Sequence, residues 1–202
     1  MVMAVNEEND RRYCQFNAVD TATKTIVDYL VNNNDDLWKL LYYTKPNVLP
    51  LEQPNLTLKQ KIKMICTDVY ATNNNVDKNI LFQVQTGEAF QNAIPQIRIE
   101  IGDIVPIDPY RGFMYLDFQI VVPNKQDLFV ASYSNVARRS DAIFRELAKT
   151  LNGVYIPNTN FNGKLFMDTS APNGAGRRTG AFRQQMNDQY TGRWVTFSVL
   201  VS

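Results

Sequence analysis

Residues 96–122 read QIRIEIGDIVPIDPYRGFMYLDFQIVV, and the spacing of apolar side chains in this stretch decides the fold. Met114, Leu116, Phe118, Ile120 and Val122 recur at every second position, with Tyr115, Asp117 and Gln119 between them. That is the period of a strand with one buried face. Ile97, Ile99 and Ile101 alternate with Arg98 and Glu100 in the same way, and Asp108-Pro109-Tyr110-Arg111-Gly112 separates the halves with turn residues. The stretch predicts a long antiparallel hairpin. Its apolar face needs a covering layer, while its polar face is left for solvent or for a neighbour.

Helices supply the cover. On the C-terminal side, Ser134 to Leu151 carries one stripe made by Val136, Ser140, Ile143, Phe144, Leu147 and Leu151. Ser134 is placed to cap it and Gly153 to end it. The opposite face holds Arg138, Arg139, Asp141, Arg145, Glu146 and Lys149, with Asp141 and Arg145 spaced as an ion pair. Before the hairpin, Thr21 onward reads as a helix with Ile26, Tyr29 and Leu30 on one face, capped by Asp20 or Thr21 and stopped by Asn32-Asn33-Asn34. Asp35 and Asp36 then open a second piece through Leu37, Trp38, Leu40, Leu41 and Tyr42, which ends at Lys45-Pro46. Thr57 and Gln60 form a capping box for a helix from Leu58 to about Val69, in which Leu58, Ile62 and Ile65 face inward and three lysines face outward. Asn79 to Gln85 alternates as a strand, as do Gly153 to Ile156, Lys164 to Met167 and the closing Arg193 to Ser202. The fold class is therefore α+β: an antiparallel sheet built on the hairpin, covered by the Ser134–Leu151 helix, with an N-terminal helical segment. One domain over 1–202 is expected, with a flexible arm at 1–17 and a long basic loop at 168–192.

Bulk composition narrows the function. A chain of 202 residues with 45% hydrophobic residues, 20% charged residues and a net charge of +1 describes a globular protein with no global attraction to nucleic acid or membrane. No apolar run of about 18 residues occurs, and MVMAVNEENDRR is too polar for a signal peptide, so the cytosol of the producing cell is expected. Cys14 and Cys66 have no CxxC partner and read as reduced thiols. The chain contains no histidine. Ser-His-Asp and Cys-His hydrolases and most zinc sites are thereby removed, and any catalysis falls to carboxylates.

Two stretches bear on chemistry. Glu100, Asp103, Asp108 and Asp117 on the hairpin could hold Mg²⁺ as in some nucleases, yet Asp117-Phe118-Gln119 puts Gln where such a site wants Lys. Gly174-Ala175-Gly176-Arg177-Arg178-Thr179-Gly180 has glycines and cations suited to phosphate, but no Gly-Lys-Ser/Thr follows. No catalytic residue, metal ligand or cofactor is assigned. The 168–192 segment reads instead as a cationic, aromatic arm carrying Arg177, Arg178, Phe182, Arg183 and Tyr190. From Ser134 onward nine cations face four anions, a net of +5, while the remainder holds twelve cations and sixteen anions, a net of −4. Such polarity suits head-to-tail self-association.

In this order of elements the chain resembles the tail-terminator and tail-completion proteins of tailed bacteriophages. The resemblance lies in the hairpin Gln96–Val122, the helix containing RRSDAIFREL (Arg138 to Leu147) and the final strand Arg193–Val201. Leu37-Trp38-Lys39-Leu40-Leu41-Tyr42-Tyr43 is also similar to the amphipathic opening of phage neck proteins, and the asparagine-rich composition fits an AT-rich viral genome. The resemblance implies a non-catalytic virion protein, assembled in the host cytoplasm, that forms a ring of roughly six or twelve copies at the head–tail interface. Its partners would be copies of itself, portal-side neck proteins and tail tube proteins, with DNA passing through the lumen. On that reading the expected interface or lumen residues are Arg138, Arg139, Arg177, Arg178, Phe182, Arg183 and Tyr190. The helical segment from Leu37 to Val69 exceeds what a minimal terminator needs, which keeps a connector role open. A metal-dependent nuclease using the hairpin carboxylates and a cytosolic α/β binding module are the alternatives from other classes.

Overall fold

A computed structural model gives the protein's structure and describes residues 19–45, 48–66, 78–82, 93–132, 135–157, 159, 161–167, 181–185 and 189–202. The expected arm at 1–17, Arg177 and Arg178 lie outside the described residues. In chain order the elements are α1 (Val19–Asn33), α2 (Asp35–Tyr42), a 3-10 turn (Pro50–Glu52), α3 (Leu58–Lys63), β1 (Ile80–Leu81), β2 (Gln96–Pro106) and β3 (Gly112–Pro123). After these come a helical turn α4 (Asn124–Asp127), β4 (Leu128–Ser132), β5 (Asn135–Arg138), α5 (Arg139–Leu151), β6 (Phe166–Met167), β7 (Ala181–Gln185) and β8 (Tyr190–Val201). The fold is α+β, as the alternation and the helical stripes require.

The hairpin is at the heart of a six-stranded sheet of order β1-β2-β3-β8-β6, with β7 also paired to β8. β1 runs parallel to β2, and the other pairs are antiparallel. Alternation puts Ile97, Ile99, Met114, Leu116, Phe118, Ile120, Val195, Phe197 and Val199 on one face, where all are buried. Phe118 and Phe197 meet edge to face at 5.5 Å between ring centroids, a geometry worth about 1 kcal/mol beyond the area buried. Onto this face pack α1, against β2, and α5, against β3 and β8, through Ala22, Ile26, Leu30, Ile143, Leu147 and Leu151. The core thus lies between one sheet and a helical layer, with Trp38 of α2 fully buried in the same cluster.

Asn34 joins the helices of that layer. Its Oδ1 accepts the Leu37 N–H at 2.8 Å and so caps α2, while its amide nitrogen donates to Thr150 Oγ1 at 2.5 Å and the Glu146 carbonyl at 3.1 Å. Asn34 therefore follows the end of α1 with its backbone bonded to Leu30, and its side chain starts α2 and ties it to α5.

Three expectations are corrected. The residues read as the first turn of a Ser134–Leu151 helix instead form a hairpin, with β4 and β5 paired antiparallel through Val130 and Val136; α5 starts only at Arg139. Val136 is the one apolar β-branched residue of a four-residue strand, too short a run for local periodicity to separate from a helical stripe. Within the segment read as a loop over 168–192, Ala181–Gln185 is strand β7, paired with β8, which itself begins at Tyr190. Finally, α3 is six residues long, with Lys61 buried and Leu58 and Ile62 exposed, whereas Lys59 and Lys63 face outward and Ile65 packs against the core as expected.

Candidate interaction surfaces

The end of the β2–β3 hairpin presents apolar side chains to water. A bulge between Ile101 and Ile104 adds a residue to β2, so that Ile101 pairs with Leu116 and Ile104 with Met114. The bulge shifts the alternation by one place. Ile104 then points toward the core, and Val105 turns to the outer face opposite Phe113. Val105 is 47% exposed and Phe113 42%, and at the tip Ile107 and Tyr110 are 51% and 48% exposed.

The register carries this surface across the sheet. Phe113 is paired with Leu200 of β8, and Tyr115 with Ser198, which in turn pairs with the exposed Phe166 of β6. Contiguous exposed apolar area of this kind marks contact surfaces.

Hydrogen bonds fix the tip. Asp108 Oδ1 accepts the N–H groups of Tyr110 and Arg111, both at 2.8 Å, and its Oδ2 accepts Arg111 Nε at 2.8 Å. The Tyr110 N–H, followed by the Arg111 side chain, holds the Asp108 carboxyl below the usual aspartate range. The backbone of Gly112 lies so near that of Val105 that an added Cβ would sit 3.1 Å from the Val105 carbonyl oxygen. The apolar side chains are thus displayed on an ordered turn.

At the far end of the sheet α3 makes a second such surface. Its capping box forms as the sequence predicts, the Thr57 hydroxyl accepting the Gln60 N–H and the Gln60 side chain accepting the Thr57 N–H. The face that turns inward is nonetheless that of Lys61. Its Nζ donates to the Val31 carbonyl at 2.6 Å and to Asp35 Oδ1 at 2.7 Å, neutralising the carbonyl end of α1 and an acid of α2 together. Leu58 and Ile62 are left outside at 58% and 50% exposure, with Lys59 and Lys63 exposed beside them. Ile65, just beyond α3, bridges to Ile80 of β1, which pairs with Ile97. The tip lies past Pro106, so strand rise alone sets the two surfaces about 30 Å apart.

The residues expected at an interface are scattered over different environments. Arg139 is not on an outer face: it is 2% exposed and donates to the carbonyls of Leu40 at 2.5 Å, Tyr43 at 3.2 Å and Gln126 at 3.0 Å. It binds the C-terminal end of α2 to the start of α5, because those carbonyls have no partners within their own helix. Burial lowers its pKa to about 10, which Asp127 opposes, and the group remains a cation near neutral pH. Arg138 stays on the surface and pairs with Asp127 at 3.3 Å. Tyr190 is 4% exposed at the start of β8 and is not part of an exposed arm. Phe182 and Arg183 fall on β7, in register with Trp194 and Arg193. The expected Asp141–Arg145 pair gives way to Arg193, whose Nε donates to Asp141 at 2.6 Å while its guanidinium lies 5.4 Å over the Phe144 ring.

Of the hairpin carboxylates, Glu100 and Asp117 are direct cross-strand partners on the outer face, while Asp108 lies apart at the tip. Asp117, 8% exposed, accepts the Thr196 hydroxyl at 2.5 Å, whereas Asp108 is spent on its own turn. Among the described residues no three acids or thiols converge to hold a metal ion, and no helix is long and apolar enough to cross a membrane. A comparison with protein families matches residues 34–199 to the YomW family model, and no curated protein matches the chain.

Proposed function

Since the chain belongs to the YomW family, a family of phage type that suggests a phage origin, we propose that it is a non-catalytic structural protein of a phage particle. Copies assemble into a ring at the head–tail interface, as a tail terminator or connector, between portal-side neck proteins and the tail tube. DNA passes through the lumen without chemistry. The observation that supports this reading is the hairpin end carrying Val105, Ile107, Tyr110 and Phe113 in water, since clustered exposed apolar side chains mark contact surfaces. The net +5 of the residues from Ser134 onward against the −4 of the rest supports unlike patches of neighbouring copies meeting.

The test is the mass of the purified protein by light scattering across a wide concentration range and at two salt levels, with particles viewed by electron microscopy. The expected result is an oligomer, ring-shaped in images, that weakens as salt rises. A monomer at every concentration and at both salt levels overturns it.

A further inference from the structure

The two apolar surfaces differ in the charge around them. On α3, Leu58 and Ile62 lie one turn apart, with the exposed Lys59 and Lys63 alongside in a parallel stripe. On the hairpin, Val105 and Phe113 are paired on the outer face, and the exposed carboxylate of Glu100 lies on the same face of β2 beyond the bulge. One surface is apolar and basic, the other apolar and acidic. They belong to opposite ends of the sheet, α3 being tied through Ile65 and Ile80 to the Ile97 end of β2 and the tip lying beyond Pro106.

We infer that α3 of one copy docks on the β2–β3 hairpin of the next. The inference rests on the ring reading and specifies its contact. Leu58 and Ile62 pack against Val105 and Phe113, while Lys59 and Lys63 approach Glu100. The occupant is a second copy because each surface supplies the charge that the other needs and neither is complementary to itself, which disfavours a two-fold dimer through either one. A contact between opposite ends is heterologous. It repeats from copy to copy and closes into a ring when the rotation per copy permits.

The experiment uses two full-length variants that alter only exposed positions, Leu58→Asp/Ile62→Asp and Val105→Asp/Phe113→Asp, each checked for native unfolding behaviour. Each alone is expected to be monomeric at concentrations where the unchanged protein assembles. Mixed in equal amounts, they should give a one-to-one dimer and nothing larger, because one intact surface remains on each partner. As a second measurement with a milder change, Lys59→Glu/Lys63→Glu should weaken assembly at least 10-fold, and Glu100→Lys in the same chain should restore part of the loss. Variants that assemble like the unchanged protein overturn this contact while leaving a ring built on other surfaces. Variants that fail alone and do not pair on mixing also overturn it. An unchanged protein that never associates overturns the ring reading and this contact together.

Discussion

Asp127 caps a helix to which it does not belong: its Oδ1 accepts the backbone N–H of Ser140 in the first turn of α5 at 2.9 Å, while Oδ2 faces Arg138 at 3.3 Å. The residue in the usual capping position, Arg138, makes no side-chain cap. Since the carboxylate is 2% exposed at the residue level and carries both a helix cap and the charge opposing Arg139, Asp127→Ala should cost about 2–3 kcal/mol. Urea unfolding checks this. Asp127→Asn, which keeps a cap oxygen and loses only the charge, should fall between the two.

Arg139→Met should destabilise by about 2–4 kcal/mol, because it leaves the carbonyls of Leu40, Tyr43 and Gln126 without their buried donor. Arg139→Lys should recover only part of the loss, as one ammonium cannot reproduce the fork that spans two elements. Equal stability of the Arg and Lys forms in denaturant titration would count against the bridging role.

The burial of Lys61 and the exposure of Ile62 in α3 make opposite predictions for adjacent residues. Lys61→Met should cost about 1–2 kcal/mol through the lost contacts to Val31 and Asp35, whereas Ile62→Ser should change stability by less than about 0.5 kcal/mol. Thermal melts of the two variants at low protein concentration, where self-association is absent, would reverse this order if Ile62 were the packed side.

The hairpin tip should respond to acid. The folded pKa of Asp108 is depressed, so its stabilisation of the turn is fully present above the ordinary aspartate pKa and is lost as pH falls through the lower folded value. In a pH series of NMR spectra, the Tyr110 and Arg111 amide shifts should move together with a midpoint below that of a free aspartate. A midpoint at or above that value would show that the carboxylate does not hold the turn.

The hairpin, the α1 and α2 helices, the α3 capping box and the closing strand were legible because each rests on local spacing: period two in β2 and β3, the acids Asp35 and Asp36 opening α2, and the cap at Thr57. Asn34, read only as part of the stop of α1, in fact caps α2, and α1 begins at Val19, ahead of the expected caps Asp20 and Thr21. The failures have equally local causes. Three lysines at alternate positions cannot share one face of a helix, since Lys59 and Lys63 align and Lys61 falls on the other side; a common outward face for all three was not available. The bulge at Ile101–Ile104 left no signature beyond Gly102 and Asp103, yet it decides that Val105 meets water. Arg139 looked like a surface charge beside Arg138 because nothing local marks an arginine whose acceptors come from α2. Arg177 and Arg178, central to the sequence reading, lie outside the described residues.

The position of β8 also has a consequence for the order in which the molecule can be made. It pairs with β3 along its full length, from Gly112 opposite Val201 to Pro123 opposite Tyr190, and it is the partner of both β6 and β7. During synthesis the β2–β3 hairpin leaves the ribosome early, and its buried edge then waits while α5, β6 and β7 are translated. Only the arrival of β8 joins these pieces into one sheet. Completion of the core therefore waits for β8, and a nascent chain that has not yet made that strand exposes the edge of β3 to any other strand nearby.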